Sequence, residues 1–247
     1  MENKIFLLGV GFNNLKIKDV LELMIKGLRK NEEKYYVVTP NPEILVLADS
    51  DANYKKVLNG AKLALPDGIG VMMAAKLLGR PLKERIQGTD LMGSLCREVS
   101  KRPITVGFLG GGPSVAELTA ECLREKYSGL RINFTEEEWD FEKKYSETDI
   151  LFVAFGSPKQ EIWIAENLSK LPVKVVIGVG GAFDFISGKV RRAPKFIRKL
   201  DLEWLFRLII QPRRIKRQLR LIKFIFLVCQ VKLGLPSQTW FAKRNLR

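Results

Sequence analysis

The chain has 247 residues, is 46% hydrophobic and carries a formal net charge of +15, so it can bury a real core and is not composed like a disordered protein. It contains no histidine, which excludes a Ser-His-Asp triad, a His-based dyad and a His-ligated zinc, and leaves proton transfer to a carboxylate, Lys, Tyr or Cys. Its cysteines, Cys96, Cys122 and Cys229, lie far apart with no C-x-x-C, which suggests neither a disulfide framework nor a thiolate metal site.

The N-terminal run "KIFLLG" (4–9) reads as a first strand rather than the apolar core of a signal peptide, implying a reducing, cytoplasmic setting. Further strand-like runs follow: "YYVVTP" (35–40), "AKLAL" (61–65), "ITVGFLG" (104–110), "LRINF" (130–134), "DILFVAFG" (149–156) and "VKVVIGVG" (173–180). Segments with apolar residues at helical spacing separate most of them, such as Val20, Leu21, Met24 and Leu28. Continuous apolar strands alternating with helices predict an α/β, Rossmann-like body with a mostly parallel sheet covered on both faces. Its ligands belong at the carboxyl ends of the strands.

Past residue 195 the pattern changes, predicting an α/β catalytic domain over 1–195 and a basic, amphipathic helical appendage over 196–247. Residues 191–247 hold 16 Lys and Arg against only Asp201 and Glu203, net +14, while the first 190 residues are near neutral at +1. Such a tail calls for a polyanionic partner. Its uncharged apolar run 224–231 is far shorter than the ~20 apolar residues of a membrane-spanning helix. A basic helix bearing Trp, Phe and Leu fits an anionic membrane surface; the other reading is a helix packed on the body with solvated charges.

Loops following the strands carry the candidate chemistry. Pro66-Asp67-Gly68 is a turn by composition, and Asp67 is either a helix cap or a carboxylate held at the sheet rim for general-base work. Thr39 and Asn41 offer a hydroxyl and an amide beside it, although Asn41 before Pro42 also reads as an N-cap. Gly110 and Gly111, then Gly180 and Gly181, open turns whose backbone N–H groups suit an anion, or are simply tight strand-to-helix turns. No metal site stands out, so cations facing a departing diphosphate would come from the tail: Arg207, Arg214 and Arg217, at spacings that share a helical face. Phospholipid contact is the alternative role for these arginines.

The segments "TPNPEI" (39–44), "LPDGIGV" (65–71), "ERIQGTDL" (84–91), "FLGGGPSVAE" (108–117), "FVAFGSPKQE" (152–161), "GVGGAFDFISGKVRRAP" (178–194) and "LEWLFRLIIQPRRIKR" (202–217) run in order along nearly the whole chain. Together they resemble the WecG/TagA/CpsF glycosyltransferases of bacterial surface-polymer synthesis. The resemblance implies inverting, metal-independent transfer of an N-acetylmannosamine-type sugar from a UDP-sugar donor to an undecaprenyl-diphosphate-linked amino sugar, without a cofactor, at the inner face of the membrane. It places Asp67 as the base on the acceptor hydroxyl, Thr39 and Asn41 on the donor sugar, and Arg85 and Gln160 in the pocket. Arg207, Arg214 and Arg217 would complete the site from a membrane-docking tail, and the body would carry a self-association surface that competes with tail docking.

Two departures stand out. The family's Gly-Tyr-Phe element near the fifth strand is missing from "LRINFTEEEWDFEKKY", and its Leu-Gly before Glu-Trp is replaced by Leu200-Asp201-Leu202. The donor, N-acetylmannosamine or its uronic acid, stays open. Two other functions compete with this one. A nucleic-acid module rests on the basic tail, but residues 221–233 are too apolar for a solvated arm, so no nucleic-acid partner is expected. A nicotinamide enzyme fits the sheet but not the glycine spacing.

Overall fold

The computed structural model describes residues 4–30, 33–212 and 215–235, with residues 195, 199 and 216–218 described by backbone alone. Six parallel strands form the sheet: β3 (Tyr35–Val38), β4 (Leu63–Ala64), β5 (Thr105–Gly110), β6 (Arg131–Glu136), β7 (Thr148–Ala154) and β8 (Val173–Gly178), in the order β4-β3-β8-β7-β5-β6. Strand β7 shows why its sequence is apolar without a break. Ile150, Phe152 and Ala154 enter one core and Leu151 and Val153 the other, as successive side chains on a strand must.

Helices α1 (Ile17–Arg29), α5 (Gly88–Val99), α6 (Val115–Lys126) and α8 (Ala182–Ile186) cover the first face. The second is covered by α2 (Pro42–Ser50), α3 (Ala52–Gly60), α4 (Ile69–Leu77) and α7 (Lys159–Asn167). This is the doubly covered α/β sheet that the strand pattern implies.

The first predicted strand does not join it. Strands β1 (Lys4–Leu7) and β2 (Val10–Asn13) make a separate antiparallel hairpin whose turn residues, Leu8 and Gly9, both have positive φ (51° and 82°). Positive φ at both positions is the two-residue turn that matches strand twist, normally announced by Asn-Gly. Leu-Gly hides it. The hairpin is tied on by Asn13, whose Oδ1 accepts the Ala64 N–H at 2.9 Å.

After Pro194 come α9 (Lys195–Lys199), α10 (Glu203–Ile210) and α11 (Ile215–Lys232). Helix α11 lies along α2 and touches α4, and its Phe224, Leu227 and Val228 are buried in the second core. Arg220 makes an ion pair with Glu43 of α2. No helix among the described residues is long and apolar enough to cross a membrane.

Candidate active site

Because the sheet is parallel, the loops after β4, β3, β8, β7 and β5 leave neighbouring strands at one edge. They open into a cleft of about 1650 Å³, roofed by α10 and α11. Thr39, Asn41, Asp67, Arg85, Gly110, Gly111, Gln160, Gly180, Gly181 and Arg207 all line it. Of the expected site residues, Arg214 and the side chain of Arg217 lie outside the described residues.

The turn around Asp67 is pinned on both sides. The Asp67 N–H donates to Pro40 O at 3.0 Å, and Pro66 O accepts the Ile86 N–H at 2.8 Å. Gly68, at φ 86°, then begins α4 from a backbone geometry that glycine adopts without strain. The turn reading holds, but Asp67 is not the helix cap: that position falls to Gly68, without a side-chain cap bond, and Asp67 instead lines the cleft. Asp67 stays partly open to the cleft, yet the protein around it desolvates the charge and pushes its carboxyl up to about 7. The positive charge of Arg85 opposes this, Glu203 adds to it, and backbone N–H groups of Gly88 and Gly68 favour the ionised form. A carboxyl balanced near neutral pH is matched to general-base work.

Asn41 does act as an N-cap: its Oδ1 accepts the Ile44 N–H at 3.0 Å, and its amide nitrogen has no partner among the described residues. Thr39 Oγ1 sits 3.4 Å from Gly178 O. The glycine turns are more committed than an empty anion site would be. Gly110, Gly111 and Gly112 all have positive φ, but the Gly111 N–H donates to Ala154 O at 3.1 Å, and the Ser114 N–H to Glu137 Oε1 at 2.9 Å. Glu137 and the neighbouring Glu138 both line the cleft.

Gln160 supports the site from behind. It is 2% exposed, its Oε1 accepts the Gly180 N–H at 2.9 Å and its Nε2 donates to Glu161 at 3.0 Å. Glu161 also accepts from Ser157 Oγ (2.7 Å) and Tyr54 Oη (2.8 Å), while burial pushes its carboxyl up. Glu161 was not foreseen, because its role depends on Tyr54, which is 107 residues away.

The tail's two acids were also missed, and both turn back into the cleft. Asp201, at φ 60°, pairs with Arg85 at 2.5 Å. Glu203 accepts from Gln87 Nε2 at 2.8 Å and pairs with Arg192 at 3.1 Å, and Arg192 also reaches Asp90 at 2.8 Å. Their scarcity in so basic a segment was the available signal.

Arg207 pairs with Asp184 at 3.2 Å and lies over the Phe185 ring at 4.4 Å. It comes so close to Gly181 that a Cβ there would meet Nη2 at 2.6 Å. Gly181→Ala is therefore expected to swing the guanidinium aside. Sugar transfer should fall by roughly tenfold, while Tm stays within about 2 °C because only the end of a flexible side chain must move. Parallel thermal melts and initial rates check this.

The model for the "Glycosyl transferase WecG/TagA/CpsF family" matches residues 5–238. A Bacillus spizizenii protein named N-acetylglucosaminyldiphosphoundecaprenol N-acetyl-beta-D-mannosaminyltransferase is 38% identical over 197 residues, 77% of each chain. Staphylococcus aureus proteins of the same name are 31% identical over 238 residues, 93% of each chain. The chain belongs to the WecG/TagA/CpsF family of glycosyl transferases.

Proposed function

We propose that the protein transfers an N-acetylmannosamine-type sugar from UDP to the hydroxyl of an amino sugar on a polyprenyl diphosphate, with inversion and without a metal. The observation that carries this reading is the partly desolvated Asp67 carboxyl at the floor of a cleft lined by a hydroxyl, an amide and arginines. The relatives' names, which specify N-acetylglucosaminyldiphosphoundecaprenol and a mannosaminyl group, support the choice of substrates.

In this mechanism Asp67 takes the proton as the acceptor oxygen attacks the anomeric carbon from the face opposite the departing UDP. Thr39 and Asn41 hold the donor sugar, Arg85 and Gln160 shape the pocket, and the glycine turns approach the phosphates. Arg207, Arg214 and Arg217 balance the charge on the diphosphate, a task for which arginine's planar set of donors is suited. No group of three or more His, Cys, Asp or Glu side chains able to hold a metal occurs among the described residues.

Residues 196–247 then serve as an appendage that closes the cleft and rests on the anionic inner face of the cell membrane. The stripe Ile215, Leu219, Ile222 and Phe226, each more than half exposed, is its contact. A self-association surface on the body belongs to the same reading.

The test is a radiolabelled-donor assay across UDP-sugars, with N-acetylglucosaminyl polyprenyl diphosphate as acceptor and EDTA present. Turnover with UDP-N-acetylmannosamine, undiminished by the chelator, is expected. Transfer of only another sugar would revise the donor, and loss of transfer in EDTA would remove the metal-independent mechanism.

A further inference from the structure

The cleft is polar at Asp67 and apolar beyond it. Helix α4 starts directly after Asp67-Gly68, and its Ile69, Met73 and Leu77 follow one another at spacings of four along the cleft wall. They extend about 12 Å from the turn. Lys76, the one charged residue of α4, borders the cleft beside them. Across from them, α11 contributes Leu221, Phe224, Ile225 and Val228. Met73 is 64% exposed, Leu77 49% and Ile225 56%, so two apolar walls face one groove.

This wall is separate from the exposed stripe of α11. Leu221, Phe224, Ile225 and Val228 point roughly 140° around the helix from Ile215, Leu219, Ile222 and Phe226, and none of the stripe residues lines the cleft. Packing on the body accounts for Phe224, Leu227 and Val228 of the second face, but it leaves Ile225 uncovered on the cleft side, opposite the exposed Met73 and Leu77.

We infer that the groove between α4 and α11 binds the first isoprene units of the acceptor's polyprenyl chain, so that protein as well as bilayer holds the lipid. The inference rests on the proposed transfer reaction for its ligand: a molecule with a sugar diphosphate at one end and an isoprenoid at the other matches a cleft that is polar at one end and apolar at the other. Seating the chain beside α4 brings the acceptor's head back to Asp67, where α4 begins.

The full-length protein should be titrated calorimetrically in vesicle-free buffer with farnesyl diphosphate and with methyl diphosphate, which share a head group and differ in the chain. Wild type is expected to bind the farnesyl compound at least about tenfold more tightly. M73E or I225E, both at exposed positions and checked for fold by circular dichroism, should erase most of that preference. L219E, on the other stripe, should keep it. Equal affinity for the two diphosphates, a preference unchanged in both groove variants, or equal loss in L219E would overturn the inference. If no sugar reaches any lipid-diphosphate acceptor, the transfer reaction fails while this comparison still decides the groove.

Discussion

Replacing Asp67 by Asn is expected to lower kcat for sugar transfer by roughly 100- to 10,000-fold, the range over which a positioned base accelerates proton transfer. UDP-sugar affinity should change little, because Asn keeps the size of the side chain and an oxygen to accept from the Gly88 and Gly68 N–H groups. The same substitution should stabilise the protein at pH 8. The carboxyl is raised from 3.8 to about 7 in the fold, so between those values the native state holds a proton that the unfolded chain has lost. Stability conferred by the protonated group therefore falls as pH rises through that window. Asn has no charge to bury, and its Tm at pH 8 should exceed that of wild type. Near-normal turnover would remove Asp67 from its role; a lower Tm with lost turnover would point to a structural function for the carboxylate.

Deleting residues from 196 onward should leave a folded body and cut transfer at least about 100-fold, the scale of losing groups that stabilise transition-state charge. The deletion removes Arg207 from Asp184 and Phe185, and Asp201 and Glu203 from Arg85 and Arg192. It also uncovers the second core where Phe224, Leu227 and Val228 had packed, so some loss of Tm accompanies it. Co-sedimentation separates the two binding roles of the tail. The full chain should pellet with anionic vesicles and not with duplex DNA, and the truncated chain with neither. Full activity in the truncation would reduce residues 196–247 to an anchor.

The sequence pattern carries the fold where periodicity alone decides it. Continuous apolar runs such as 149–156 are buried from both faces, and all six sheet strands lie where such runs predicted them. It fails at Leu8-Gly9, because the conformation of a tight turn reaches the sequence only through residues that prefer it. The site divides in the same way. Asp67, Thr39 and the glycine turns are legible because loops at one edge of a parallel sheet must meet. Glu161, Asp201 and Glu203 are not, because each acts on a partner more than 100 residues distant. Asp201 shows the limit of motif reading, since a residue noted only as a departure from the motif supplies the counter-charge to Arg85.

The central claim, that transfer waits on ionisation of Asp67, is tested most directly by the pH dependence of kcat/KM for the full-length wild-type protein between pH 5 and 9. With its carboxyl pushed up to about 7, the rate should rise tenfold per pH unit on the acid side and level off above about pH 7. A profile that stays flat from pH 5 through 8 would contradict it.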